Sequence, residues 1–318
     1  MATLQVGHYP INSKTAEHAF AIMSHNGNEY RFKCFGSVWD SGRYYPAEYY
    51  EPRSMWYTRS GSITGYKELP CHPQIAIHLA QWGGSVDWWK YDYDKEHGDN
   101  SGIVYALNGV CHQMCNTITC ATKTDNPINS LINWPQSLNA SKLIYGNRGT
   151  WGHERAVKDY VAALLRFYGD AIDGDADAQG DLDVSGLDAE LGAIEEQQRA
   201  TMRNALANGP DLDERRMLVG NAVPGLDSIE PAMAADAEAM TLKHELDNLL
   251  IRGEVSREEY AARMNEGVRA LVDRYAEVMG QEAFTGAFGD AAENIDCNII
   301  DVEFMLDDYT AVKEQLGL

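Results

Sequence analysis

Apolar and polar positions organise this chain into a strand-rich beginning and a long helical remainder. Two runs rich in strand-forming residues, Glu17 to Ser24 and Glu29 to Phe35, flank Asn26-Gly27, a pair suited to the positive φ angles of a tight hairpin turn. With two central turn residues, His25 pairs with Asn28, and Ala19, Ala21 and Met23 line up with Cys34, Phe32 and Tyr30 as one apolar side. His18 then falls opposite Phe35 and points to the other face with Phe20 and Lys33. Residues 36–70 are rich in Gly, Tyr and Pro and read as loops with short strands, and Gln74 to Trp82 after Pro73 as a short helix. Val110, Met114, Ile118 and Ala121 recur at helical spacing, so a helix is expected to start near Val110 with Asn108 as its cap. Arg155 to Tyr168 is amphipathic and ends at Gly169, and from Ala189 onward the periodicity is helical throughout. Ser256-Arg257-Glu258-Glu259 has the spacing of a capping box, and Gly253 and Gly280 stand where helices end. Leu246 to Leu271 resembles the short helical hairpins found at the ends of many bacterial proteins.

Charge sharpens this division. The net charge of -22 is uneven: residues 1–169 hold 14 acidic and 15 basic side chains, and residues 170–318 hold 34 and 11, a balance of +1 against -23. All 7 tryptophans, 14 of 17 tyrosines, 8 of 9 histidines and 5 of 6 cysteines also precede residue 170. Chemistry and aromatic recognition therefore belong to the first part and solvation to the second. The expected organisation is an N-terminal catalytic domain at 1–169, an acidic linker at 170–188 and a helical interaction bundle at 189–318. The linker resembles part of a calcium-binding EF-hand loop counted from Asp175, but its twelfth place is Gly186 rather than a bidentate glutamate, so a solvated connection is expected. The acidic balance argues against a nucleic-acid partner, and no apolar run is long enough for a bilayer. The start, Met1-Ala2-Thr3-Leu4-Gln5, lacks a secretory pattern, so synthesis in a reducing cytoplasm is expected, with export by a route needing no cleavable signal left open.

The candidate chemistry centres on Asn108-Gly109-Val110-Cys111-His112-Gln113-Met114-Cys115-Asn116, where a glycine-containing turn enters a helix. Unpaired N–H groups and the positive dipole end of a first turn favour a thiolate at Cys111. A thiolate nucleophile needs a base, and His18 and His153 are the candidates; His112, adjacent to Cys111, projects a third of a turn away. Trp88-Trp89-Lys90-Tyr91-Asp92-Tyr93 could wall a substrate groove, although aromatic runs more often form core. Cys111, Cys115, Cys120, Cys71 and His72 could instead bind zinc, but their spacing matches no usual paired-cysteine knuckle. Neither a metal nor a cofactor is expected. The competing plain readings are a packed core thiol at Cys111, a structural histidine at His18 and a loop residue before a helix at His153.

Glu17-His18-Ala19-Phe20-Ala21-Ile22, the turn, Tyr30-Arg31-Phe32-Lys33-Cys34-Phe35-Gly36 and the following Trp-containing loop resemble the histidine strand pair of papain-like thiol proteases. Asn108 to Asn116 resembles their cysteine helix. His18 precedes Cys111, the order found in circularly permuted members of the papain and NlpC-type superfamily, and the likeness covers roughly residues 10–125. It implies an α+β papain-like N-terminal domain followed by an acidic all-α region, with Cys111 attacking an amide carbonyl and His18 as general base and acid. Cys34 or Phe35 stands where the family carries its orienting asparagine, leaving Asp40 as a substitute third member. The family's oxyanion glutamine has no match, and Asn108 with the Cys111 N–H would supply donors.

The function expected is a cysteine-dependent hydrolase or acyltransferase on an amide or peptide bond: protease, amidase, deamidase or transglutaminase-like crosslinker. Its partners would be a protein or peptide substrate and, through the acidic helices, a basic protein or a second copy. The alternative is a non-catalytic assembly protein with an aromatic contact domain and a helical oligomerisation region.

Overall fold

In a computed structural model of the chain, the structure describes residues 2–10, 17–25, 28–32, 65–71, 104–113, 116, 136–146, 149–172, 186–209, 211, 213, 215–217, 219, 230–288, 295, 297–302 and 305–318. The first four stretches are strands: β1 (Ala2–Pro10), β2 (Glu17–His25), β3 (Asn28–Phe32) and β4 (Gly65–Cys71). They form an antiparallel sheet in the order β3-β2-β1-β4. The hairpin register follows the Asn26-Gly27 turn as expected: His25 opposes Asn28, Met23 opposes Tyr30 and Ala21 opposes Phe32. On its other edge β2 pairs with β1, with His18 opposite Tyr9. The expected His18–Phe35 and Ala19–Cys34 pairs fall beyond β3, outside the described residues, as do Gln74 to Trp82 and the aromatic run from Trp88.

Helices make up most of the rest: α1 (Gln136–Tyr145), α2 (His153–Ile172), α3 (Leu187–Asn208), α4 (Glu230–Ile251), α5 (Arg257–Met279), α6 (Gln281–Phe288) and α7 (Thr310–Leu316). α2 runs on past Gly169, because a glycine weakens a helix by only about 1 kcal/mol and does not oblige it to end. α4 and α5 form the hairpin read from Leu246 to Leu271. Gly253, at φ +69°, closes α4 as its N–H reaches the Leu250 carbonyl and that of Glu254 reaches Leu249. Ser256 opens α5 by accepting the Glu259 N–H at 3.1 Å.

α5 buries Tyr260, Met264, Val268, Leu271 and Tyr275 along one seam. The facing stripe of α4 carries Ala232, Met240, Leu246 and Leu250, but also Asp236, Lys243 and Asp247, all buried. Around this pair α1 packs on α5, α2 on α3, α3 on α4, α6 on α5, and α7 on α3 and α4. One hydrophobic cluster takes in Val104, Cys111, Tyr145, Leu164, Leu206, Tyr260 and Leu316.

The expected α+β papain-like arrangement is therefore corrected. The described residues of 104–318 are mostly helical, and their only described β-type pairing is a single bridge between Tyr105 and Gly109. The Cys111 segment is packed into this helical body rather than into a mixed domain. The motif misled because a glycine-containing turn leading into an amphipathic helix has the same local physics in any fold; what the turn and helix pack against was decided by distant residues, Ser141 and Gly146 for the helical turn and Lys243, Tyr260 and Tyr309 for the turn before it. No described helix is long and apolar enough to cross a membrane.

Candidate functional site

Val104 to Gly109 fold into a tight, wholly buried turn. The Leu107 and Asn108 N–H groups both reach the Val104 carbonyl, and the Ala106 N–H reaches Gly109 O at 2.8 Å. Asn108 turns its side chain back towards Val104. Its Oδ1 accepts the Val104 N–H at 2.7 Å, closing the turn on itself. Ala106 takes the left-handed conformation, φ +72°, that a residue with a Cβ seldom adopts. Cys111 begins the helical turn that follows and is 4% exposed. The Val110 N–H at its head is taken by Gln113 Oε1 at 3.1 Å, a capping role that the sequence pattern assigns to Asn108. The Gln113 amide also donates to the Gly146 carbonyl (2.9 Å) and to Ser141 Oγ (3.4 Å), fixing the Cys111 turn on the end of α1. His112, a poor base for Cys111 by its spacing, lies with Nδ1 3.2 Å from Ser141 Oγ.

His153 reaches this region through its main chain. The Thr150 N–H donates to the Asn108 carbonyl at 2.9 Å, joining the loop before α2 to the turn before Cys111; each partner lies three residues ahead of the candidate side chain. Trp151 (φ +57°) and Gly152 (φ +73°) turn the chain sharply into α2, whose first residue is His153. Its imidazole is fully buried, and Nδ1 lies 3.2 Å from the side-chain nitrogen of Gln198 on α3. Gln198 Oε1 has no hydrogen-bond partner among the described residues. A half-turn of the amide exchanges the two atoms and sets Oε1 against Nδ1–H.

The other predicted residues are placed as follows. His18 lies in β2, and nothing of its side chain is among the described residues; Asp40 is outside them, as are the side chains of Cys71, His72, Cys115 and Cys120. Among the described residues no group of three or more His, Cys, Asp or Glu side chains is arranged to hold a metal ion.

Behind the turn is a buried polar network that sequence reasoning missed. Lys243 donates to the Leu107 carbonyl at 2.6 Å, pairs with Asp247, and lies 4.9 Å from the Trp151 ring centre and 5.5 Å from that of Tyr145. Asp247 also accepts the Tyr260 hydroxyl at 2.6 Å. Burial pushes the Lys243 ammonium down and the Asp247 carboxyl up, each opposed by the attraction of the other; it holds the Tyr145 and Tyr260 phenols well above their ordinary range. On α1, Lys142 is 1% exposed with no partner for its ammonium among the described residues, and burial brings it down to about 8. Two signals in the sequence point here. Asp236, Lys243 and Asp247 share the apolar stripe of α4, and Tyr260, Tyr275 and Tyr309, the three tyrosines of the acidic region, are all buried.

The chain matches no protein-family model, no curated protein and no solved structure.

Proposed function

We propose that the protein is a cysteine-dependent hydrolase or acyltransferase acting on an amide or peptide bond, with Cys111 as nucleophile, His153 as base and acid, and Gln198 orienting the imidazole. The observation that carries this reading is the Asn108–Thr150 hydrogen bond. It ties the segment bearing the thiol to the segment bearing a buried histidine whose Nδ1 is already engaged by an amide. With Gln198 Oε1 accepting from Nδ1–H, the imidazole presents a lone pair at Nε2 for the thiol proton. His153 thus takes the role expected of His18, and Gln198 that expected of Asp40.

In the first step the Cys111 sulfur bonds to the carbonyl carbon and the C–N bond breaks, as the imidazolium returns its proton to the leaving amine. In the second, the imidazole takes a proton from water or an amine as it attacks the thioester, the C–S bond breaks, and the leaving sulfur recovers that proton from the imidazolium. The burial of Cys111 favours one competing reading, a non-catalytic assembly protein in which the thiol is packing alone.

Alkylation with a small reagent at pH 6 to 7, read by mass spectrometry, separates the two. A nucleophile makes Cys111 the first of the six thiols to be labelled, and Cys111→Ala abolishes amide turnover without loss of fold. Labelling of Cys297 or Cys115 ahead of Cys111 would sink the assignment.

A further inference from the structure

Three consecutive main-chain carbonyls of the turn before Cys111 are held by buried side chains from distant parts of the chain. The Tyr309 hydroxyl donates to Tyr105 O at 2.6 Å. The Tyr145 and Tyr260 hydroxyls approach Ala106 O at 2.7 and 3.0 Å. Lys243 donates to Leu107 O at 2.6 Å. The middle carbonyl belongs to Ala106, the left-handed residue. Such a conformation persists in a residue with a Cβ only where its surroundings over-determine it, and here four polar groups from α1, α4, α5 and the C-terminal segment do so. Apolar side chains would have filled the same space without the desolvation that three phenols, an ammonium and the Asp247 carboxylate incur. Fixing the carbonyls of residues 105–107 fixes the path through Gly109 and Val110, and hence the direction in which the helical turn at Cys111 sets out.

We propose that Tyr145, Tyr260, Lys243 and Tyr309 are positioning residues for the Cys111 thiol, holding the turn that delivers it by the carbonyls of Tyr105, Ala106 and Leu107. This rests on the reading of Cys111 as the nucleophile. Tyr260 is the keystone of the set. Its single proton is divided between Ala106 O and Asp247, so it couples the turn to the Lys243–Asp247 pair.

The test uses the full chain and variants that delete one oxygen each: Tyr145→Phe, Tyr260→Phe, the two together, and Tyr309→Phe. Tyr275→Phe is the control, because the Tyr275 hydroxyl is buried without a hydrogen-bond partner among the described residues. Alkylation of Cys111 by iodoacetamide is followed from pH 5.5 to 9.5 by mass spectrometry, with the thermal midpoint measured beside it. In the parent the rate should rise at a pH below the ordinary thiol value of roughly 8.5. Each Phe variant should move that rise upward, so that labelling at pH 6.5 falls about 3- to 10-fold. The Tyr145→Phe/Tyr260→Phe pair, which strips Ala106 O of both donors, should move it further than either alone, and Tyr275→Phe should leave it where it was. A merely structural role would lower the thermal midpoint and leave the pH profile of Cys111 unchanged, and that result overturns the proposal. If Tyr260→Phe does not fold, Tyr309→Phe distinguishes the same two outcomes, since its hydroxyl meets the Tyr105 carbonyl and the Leu306 N–H and lies outside the Lys243–Asp247 pair. Failure of the underlying reading looks different, since a thiol other than Cys111 would then label first in the parent.

Discussion

Lys243 and Leu107, 136 positions apart, are joined by a hydrogen bond of 2.6 Å from ammonium to main-chain carbonyl, both groups buried. The contact crosses the acidic stretch at 170–188 on which a two-part reading of the sequence rests, and it is not isolated: Tyr260 and Tyr309 cross it as well. Expressed alone, residues 1–169 would lose three of the four donors to the turn and the α4 and α5 surfaces that bury it. We expect that fragment to lose the near-ultraviolet circular dichroism that a fixed Trp151 environment gives the full chain, and to recover it when residues 170–318 are added. A fragment that keeps the signal alone and turns over a small amide substrate would show that the N-terminal part folds independently.

Lys142 makes a pH-dependent contribution whose sign follows from its direction of shift. Burial brings its amine down to about 8 from 10.5 in the unfolded chain. Below pH 8 both states carry the proton, and the folded state bears the whole cost of a buried charge that has no partner among the described residues. Between about 8 and 10.5 the unfolded chain binds the extra proton, so stability rises with pH. The shift bounds the effect at about 3 kcal/mol. Lys142→Met, similar in volume and uncharged, should therefore stabilise the protein at pH 7 by up to about that amount, with the advantage shrinking as pH rises to 10. Urea titrations of parent and variant at pH 7 and 10 measure this directly. A variant less stable than the parent at pH 7 would mean that the amine has a partner in solution.

What the sequence made legible was local. The Asn26-Gly27 hairpin register, the cap at Ser256 and the glycine closing α4 each depend on neighbours within a few residues, and each is present; the helicity read throughout from Ala189 is present in α3 to α7, while the described residues among 295–309 lie outside α-helices. Cys111 was visible as a candidate because a glycine-containing turn precedes it, and His153 only as the alternative base to His18. The parts that were not legible depend on long-range pairing. Asn108 reads as a helix cap until Val104 is seen to take its oxygen, and Gln198 reads as one polar residue on a solvated helix until His153 is seen against it. Asp236, Lys243 and Asp247 read as a solvated face because charge ordinarily marks exposure; only their place on the apolar stripe of α4 marks them as interior.

Arg215 and Asp236 form a second buried pair, and Arg215 also donates to the Leu143 and Ile144 carbonyls at the C-terminal end of α1. Those carbonyls lack intrahelical partners and carry the negative end of the helix dipole, so the guanidinium satisfies a helix terminus and a carboxylate together. Arg215→Met should cost about 3 to 5 kcal/mol, because it leaves Asp236 as an uncompensated buried charge. Adding Asp236→Leu removes that charge and should recover part of the loss, but not the share owed to the two carbonyls. A double-mutant cycle in urea reads the coupling, and simple additivity of the two changes would contradict the pairing.

Gly152 links the geometry of the loop before α2 to the candidate chemistry. It has φ of +73°, and a Cβ placed there would lie 3.0 Å from Cγ2 of Thr201 on α3, so alanine meets both a disfavoured backbone conformation and a close neighbour. Gly152→Ala should cost about 1 to 2 kcal/mol. Thr201→Ser deletes the crowding methyl and should return the steric share of that cost, while the conformational share remains. Because Gly152 directly precedes His153, any relief found by rotating the main chain swings the imidazole away from Gln198. Amide turnover should therefore fall more than stability does, and Thr201→Ser should rescue stability more fully than turnover. Equal recovery of both would show that the loop conformation matters to folding alone and has no part in placing His153.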